Sequence, residues 1–202
     1  AGMPGLANTN TVAMDIAVDF VGFAYVTGWT AATSFPVTAG AFQSTLNGLT
    51  DAFVAKLSQG GSHLVYSTLL GGSEDDGGHA LALDQFGHAF VVGTPSRSSF
   101  PTTPGTFSPT CDLNCGGFVT KVAPDGRTLV YSTYFPDHGA TNIVDVLVDR
   151  AGRAVIAGQP YQPIPLSPGS PSWEPGGSFV SRLTPDGSAF DFGWFLGGPD
   201  LP

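Results

Sequence analysis

The sequence has few charged residues, and most of them are acidic. Only 11% of the 202 residues are charged, whereas an average soluble domain has about 25%. The 16 Asp and Glu outnumber the 7 Lys and Arg, so the net charge is −9. A nucleic-acid interface needs clustered basic residues, and here they are scattered along the chain, so we expect no nucleic-acid partner. The same shortage disfavours binding to an anionic membrane surface.

Long apolar runs and the usual catalytic signatures are also missing. No stretch approaches the roughly 18 apolar residues that a spanning helix needs, so we expect no membrane span. The first six residues have neither the basic nor the apolar segment of a signal peptide, as expected for a mature or trimmed end. The sequence contains no Gly-x-Ser-x-Gly elbow and no Gly-rich phosphate loop before a helix. We therefore expect no enzyme activity and no cofactor.

Cysteine is scarce, with only Cys111 and Cys115 in the string Cys-Asp-Leu-Asn-Cys. A small disulfide ring that pins a loop fits the low-charge, Gly-, Ser- and Thr-rich composition, which is typical of secreted proteins. A metal site is an alternative, but two thiols are not four ligands, and no histidine lies at ligand spacing nearby. Free thiols are the remaining alternative.

The chain is rich in glycine and proline, and it contains an internal repeat. Residues 16–28, 81–93 and 146–158 align at a spacing of 65 positions, and each segment has Asp at its fourth place and Gly at its seventh. The aligned aspartates are Asp19, Asp84 and Asp149. A period this long with strand-like content predicts a repeat architecture.

Each repeat predicts a meander of four antiparallel strands. The Asp-x-x-Gly turn joins the first two strands, and the second strand is expected to stop at Gly28 and its equivalents. A linker leads to a third strand at 53–57, and a tight turn leads to a fourth at 64–68; in the second and third units this turn reads Pro-Asp-Gly. Four-stranded sheets that stack radially form a β-propeller. The prediction is an all-β, single repeat domain over 1–202 with three blades, at approximately 12–72, 77–135 and 141–197.

Four strings recur in fixed order over nearly the whole chain. In the first two units they read Val-Tyr-Ser-Thr-Leu-Leu-Gly-Gly-Ser-Glu-Asp-Asp, Ala-Val-Asp…Gly…Ala-Tyr-Val-Thr-Gly, Ser-Phe-Pro-Thr-Thr-Pro-Gly-Thr-Phe and Asp-Ala-Phe-Val-Ala-Lys-Leu. They resemble the bacterial SBBP (seven-bladed β-propeller) repeat family. The resemblance implies a secreted, periplasmic or cell-surface bacterial propeller, often part of a larger protein, with no general catalytic activity. The third unit departs from the pattern, with Ile164-Pro165 in place of Phe-Pro.

Three blades are too few for a closed ring, since closed propellers usually have four to eight. The remaining exposed sheet edges invite pairing. We therefore expect a protein partner or a second copy of the chain to complete the propeller, or a longer polypeptide that supplies the missing blades.

In such a meander the tight hairpins lie at one end of the blades, and the long linkers lie at the other. Long loops on a rigid scaffold are usual recognition sites, so we expect a partner or ligand at the linker end, near Trp29, Tyr161 and Trp173. The alternative is that the linkers pack over the sheet edges. Four phenylalanines that recur in register would then be packing anchors. They are Phe35, Phe42, Phe100 and Phe107.

The remaining candidates are acidic residues and histidines. Glu74, Asp75 and Asp76 form the densest acidic cluster and are the Ca²⁺ candidate; the alternative is a solvated acidic loop. Asp19 and its equivalents are predicted to cap turns. His79 beside the cluster, or His138 beside Asp137, is the candidate general base of a hydrolase or lyase.

The favoured function is a non-catalytic extracellular β-propeller module, structural or protein-binding, within a larger protein or assembly. The first alternative is a carbohydrate-binding, lectin-like propeller in which Trp29, Trp173 and Tyr161 stack on a glycan. The second is the hydrolase or lyase.

Overall fold

The computed structural model describes residues 10–96, 99–111, 116–135, 142–161, 163–164 and 167–197 of the chain. These residues form twelve strands arranged in three four-stranded antiparallel sheets, each with its strands in chain order. No helix able to cross a membrane occurs among them. The predicted all-β fold with four-stranded antiparallel blades is confirmed.

The strands follow the repeat. Blade 1 contains β1 (Thr11–Val18), β2 (Ala24–Thr30), β3 (Asp51–Leu57) and β4 (Leu64–Leu70). Blade 2 contains β5 (Asp76–Leu83), β6 (Ala89–Pro95), β7 (Gly117–Val122) and β8 (Leu129–Phe135). Blade 3 contains β9 (Asn142–Val148), β10 (Ala154–Gln159), β11 (Ser178–Leu183) and β12 (Phe190–Leu196).

The repeated glycine at the predicted end of the second strand does not end it. β2 continues through Gly28 to Thr30, and β6 continues through Gly93 to Pro95, so that part of the prediction was wrong. In blade 2 the pairing of β5 with β6 shifts register next to Gly93, which brings the backbone of β5 close to it. A Cβ at Gly93 would overlap with the carbonyl oxygen of Gly77. The glycine recurs because a β-bulge in the partner strand leaves no room for a side chain.

The sheets stack face to face, and their first strands β1, β5 and β9 lie next to one another. We call the side of a blade that meets the following blade its forward face, and the opposite side its rear face. The forward face of blade 1 includes Tyr25 and Tyr66, which pack against Leu81 and Phe118 on the rear face of blade 2. The forward face of blade 2 packs in the same way against blade 3, where Phe135 and Phe179 stack with their ring centroids 4.9 Å apart. The core is therefore a series of inter-blade junctions.

Each linker covers the outer edge of its own blade. The Thr38 N–H donates to the carbonyl of Ser67, and the Leu69 N–H donates to that of Gln43, so the first linker occupies the free side of β4. An unpaired edge strand would otherwise invite aggregation. The phenylalanine anchors fit the packing alternative: Phe35 packs on Phe53, with centroids 4.7 Å apart, and the equivalent pair in blade 2 stacks at 4.1 Å.

The linkers also tie each blade to the next one. The N–H of Phe42 donates to the carbonyl of Gly126 in the β7–β8 turn of blade 2, and that of Phe107 donates to Gly187 in blade 3. We call this part of a linker its strap. The straps reach the hairpin end of the next blade. The prediction that the linkers lie only at the opposite end of the blades was therefore wrong. The third strap has Pro171 at the equivalent position, which has no N–H to donate.

Candidate interaction surfaces

The repeated aspartates cap the turns between the first two strands of each blade, as predicted. Oδ1 of Asp19 accepts hydrogen bonds from the N–H groups of Val21, Gly22 and Phe23 at 3.0, 2.9 and 2.9 Å. Asp84 and Asp149 accept the equivalent bonds in their own turns. These carboxylates are part of the blade scaffold.

Each of these aspartates also pairs with a cation that was not predicted from the sequence. Lys56, Lys121 and Arg182 lie 3.9, 3.3 and 3.9 Å from the aspartate of their own blade. Three of the basic residues are therefore not scattered, because they share one position in the third strand. The recurring string Phe-Val-x-Lys/Arg was the signal that could have identified them.

The pair in blade 2 is the most buried. Lys121 lies 4.7 Å from the centroid of the Phe90 ring, and the side chain of Asp84 is 4% exposed. Burial by itself raises the pKa of Asp84, but hydrogen bonds from the N–H groups of His88 and Phe86, the His88 ring and the Lys121 ammonium lower it overall. This carboxylate is held in its charged form by the scaffold.

The acidic cluster at the linker end does not converge on one point. Asp76 is buried, and its two oxygens accept hydrogen bonds from the N–H groups of Gly72 and Ser96 at 2.6 and 3.2 Å. Glu74 and Asp75 are exposed, and Asp75 accepts a bond from the Thr50 hydroxyl. Among the described residues no group of three potential metal-ligating side chains occurs. The Ca²⁺ site stays a prediction.

Burial raises the pKa of Asp76 to about 6 against the opposing effect of its two N–H donors. A second buried carboxylate, that of Asp51, lies at the same linker end of the blades, and its burial was not predicted from the sequence. It accepts hydrogen bonds from the Gln43 amide and from the N–H groups of Asn47 and Gly48. Neither Asp51 nor Asp76 recurs in the other blades, so the linker end of blade 1 differs chemically from the rest.

A cleft of about 490 Å³ opens at this end, at the junction of blades 1 and 2. Half-buried Trp29 lies in its wall, and a Cβ added at Gly77 would contact both the indole and the His79 ring. The other lining side chains are mostly polar. They are Leu49, Thr50, Asp75, Asp76, Thr94 and Ser96. The structure thus places Trp29 in one cleft with His79, Asp75 and Asp76, which the sequence could not establish.

The His79 ring is oriented by the backbone. His79 is the extra residue of the β5 bulge, and its Nδ1 lies 3.3 Å from the carbonyl oxygen of Ile143 in blade 3. A carbonyl only accepts hydrogen bonds, so Nδ1 is the donor in this contact, and Nε2 lies 3.5 Å from the Thr94 hydroxyl. Among the described residues the His79 ring thus contacts a carbonyl and a hydroxyl, and no carboxylate of the acidic cluster. His138 and Asp137 lie outside the described residues.

The other predicted recognition residues do not line this cleft. Tyr161 and Trp173 belong to the third linker, and their role stays a prediction. Cys111 packs at the edge of the junction between blades 1 and 2. Cys115 lies outside the described residues, so the disulfide also stays a prediction.

The outer faces of blades 1 and 3 expose apolar side chains whose equivalents in the other blades are buried. Ile16, Leu81 and Val146 occupy the same repeat position on the rear faces of the three blades. Leu81 is 4% exposed and Val146 is 2% exposed, whereas Ile16 is 62% exposed. The two internal residues are covered by the preceding blade, whereas no blade among the described residues covers Ile16. Val18 and Met14, on the same strand, are also exposed.

The forward face of blade 3 is open in the same way. Leu70 and Phe135 are 0% and 1% exposed on the forward faces of blades 1 and 2, but Leu196, at the equivalent position, is 49% exposed. The Asp149 and Arg182 side chains are 26% and 31% exposed, whereas the equivalent Asp84 and Lys121 are 4% and 10% exposed. Leu147 adds a further exposed apolar side chain. Both ends of the stack thus present half of an inter-blade junction.

Comparison with known proteins agrees with this architecture. A model of the SBBP β-propeller repeat matches residues 5–36, a segment that includes β1, β2 and the start of the first linker. No curated protein matches the chain. The recurrence of the same strand order, turn caps and bulge glycines carries the pattern into blades 2 and 3. The chain therefore contains a segment similar to the SBBP β-propeller repeat, and its three four-stranded antiparallel sheets correspond to blades of a partial propeller.

Proposed function

We propose that this chain is a non-catalytic, extracellular interaction module that joins a protein partner through its open blade faces. The observation that carries the proposal is the contrast at one repeat position, where Leu81 and Val146 are buried and Ile16 is 62% exposed. Full burial of an aliphatic side chain of this size stabilises a complex by about 1.5–3 kcal/mol. Several such side chains on each outer face make covering them strongly favourable.

The polar groups of the scaffold support a non-catalytic role. The repeated aspartates are engaged by turn N–H groups and by a cation of their own blade. The secreted, periplasmic or cell-surface location rests on the low-charge composition and on the predicted Cys111–Cys115 disulfide.

The proposal predicts that the isolated chain does not behave as an inert monomer. Over a range of micromolar concentrations, sedimentation velocity should show association above the 20.8 kDa of one chain, or the chain should enhance the fluorescence of anilinonaphthalene sulfonate, which binds exposed apolar surface. The double variant Ile16→Asp/Leu147→Asp should lose both signals. A wild-type chain that stays monomeric and binds no dye would overturn the proposal.

A second candidate function is carbohydrate binding at the cleft around Trp29. The half-buried indole offers an apolar surface for the face of a sugar ring, and Asp75, Thr50, Thr94 and His79 offer hydrogen-bonding groups for its hydroxyls. The volume of about 490 Å³ is in the usual range for a small-molecule site.

The cleft predicts that glycan binding depends on one tryptophan. On a glycan array, Trp29→Ala should weaken any signal of the wild-type chain tenfold or more, because central Trp residues dominate binding energies. Trp173→Ala, outside the cleft, is the matched control and should bind normally. Absence of binding by the wild-type chain, or equal loss in both variants, would exclude this cleft as the glycan site.

A further inference from the structure

We propose that the partner of the open faces is a second copy of this chain, bound head to tail, with the forward face of blade 3 against the rear face of blade 1. This inference rests on the proposed function and names its partner. One chain carries both halves of a contact that it already makes twice internally, between blades 1 and 2 and between blades 2 and 3. A second copy is the partner that is certain to present the complementary face.

The apolar positions match across the proposed junction. In the internal junctions the rear-face residues Leu81 and Val146 are covered by the forward face of the preceding blade. In the proposed junction Ile16 and Val18 of the second copy take the rear-face role, and Leu196 takes the role of Leu70 and Phe135. Both sets are partly exposed in the single chain, so no buried residue has to move.

A polar contact of the internal junction is also repeated. At the junction of blades 1 and 2, Oδ1 of Asp15 accepts from the Ile16 N–H of its own strand, and Oδ2 accepts from the Leu81 N–H of blade 2, both at 2.8 Å. Asp145 occupies the equivalent position in blade 3, and its Oδ1 accepts from its own Val146 N–H at 2.8 Å. Among the described residues its Oδ2 contacts no donor. It is therefore placed to accept from the first strand of an incoming blade, sharing the Ile16 N–H with that blade's own Asp15.

Two differences distinguish this junction from the internal ones. Pro171 cannot donate the strap hydrogen bond that Phe42 and Phe107 make. Leu147 stands where Ala17 and Ala82 lie in the other blades. The junction between copies is thus related to an internal junction but lacks its backbone strap, so we expect it to dissociate on dilution while the blades of one chain stay together.

The head-to-tail arrangement predicts complementation between two variants. Ile16→Asp puts a charge on the rear face of blade 1, and Leu147→Asp puts one on the forward face of blade 3; both side chains are more than half exposed, at 62% and 65%, so the fold should tolerate them. In sedimentation velocity the wild-type chain should have at least twice the 20.8 kDa mass of one chain. Each variant alone should be a monomer. An equimolar mixture should regain a two-chain species, because one junction then pairs two unaltered faces.

The control is Val130→Asp on β8. Val130 is 48% exposed and lies on neither outer face, so this variant should keep the mass of the wild-type chain. Association lost in only one variant would mean that a face pairs with itself, and this result would overturn the proposal. So would a mixture that stays monomeric, or a wild-type monomer. A wild-type monomer that still binds anilinonaphthalene sulfonate would overturn the second copy as partner but leave the proposed interaction module standing.

Discussion

Asp84→Ala is expected to lower the free energy of unfolding by about 3–5 kcal/mol, the range for breaking a buried ion pair by removing one partner. The carboxylate lies 3.3 Å from Lys121, and the two side chains are 4% and 10% exposed. It also accepts hydrogen bonds from the N–H groups of Phe86 and His88. Without it, the Lys121 ammonium stays under the junction of blades 2 and 3 with no counter-charge.

The repeat supplies a matched control for this change. Asp149→Ala removes the same turn cap and the same type of pair in blade 3, where the aspartate side chain is 26% exposed. The remaining Arg182 is 31% exposed and keeps its ion pair with Asp191 at 2.8 Å, so the loss should be much smaller. Urea unfolding of the two variants measures the difference. Equal losses would mean that the turn cap, and not the buried charge, accounts for the effect.

The same aspartate makes stability depend on pH. Its pKa is lowered in the folded chain, because the hydrogen bonds and nearby cations outweigh the effect of burial. A carboxylate with a lowered pKa stabilises the fold above its ordinary pKa of about 4, and this contribution is lost as the pH falls through the folded value. The unfolding free energy of Asp84→Ala should therefore fall less steeply than that of the wild-type chain below about pH 4.

Gly93→Ala is expected to cost about 3 kcal/mol, at the upper end of the range for overpacking. The added methyl group would overlap with the carbonyl oxygen of Gly77 and come close to the Phe118 ring. The overlap is with a backbone atom of a paired strand, so rotation of a side chain cannot relieve it. The register of β5 against β6 has to change, and this shift disturbs the junction that β5 forms with blade 1.

Gly60→Ala is the control, because a Cβ there has no heavy atom within 4 Å. It should change stability by no more than about 0.5 kcal/mol. Thermal unfolding of both variants checks the difference. A Gly93→Ala chain as stable as the control would mean that the glycine does not recur for lack of space beside the bulge.

The sequence predicted the features that depend on neighbours along the chain. Turn chemistry is local, so Asp19 could be recognised as a cap from its spacing to Gly22 alone. The alternation of apolar residues is also local, and it predicted the strands to within a few residues. Gly28 was wrongly predicted to end its strand. Glycine is needed there because the partner strand has a β-bulge, and this bulge has no sequence signature of its own. The cation Lys121 was missed because it meets Asp84 across two strands.

The sequence by itself determined the repeat, the four-stranded blade and the fold class, because these follow from a pattern of turns and alternating side chains read at short range. Only the tertiary structure decided which copies of a repeated residue are buried. Ile16, Leu81 and Val146 are equivalent in sequence, and the stacking of one blade on the next makes two of them core and leaves the third open. It also decided that Trp29, Asp75 and His79 share one cleft, since they come from different blades. Burial and proximity between blades depend on how the sheets stack, and no local pattern contains that information.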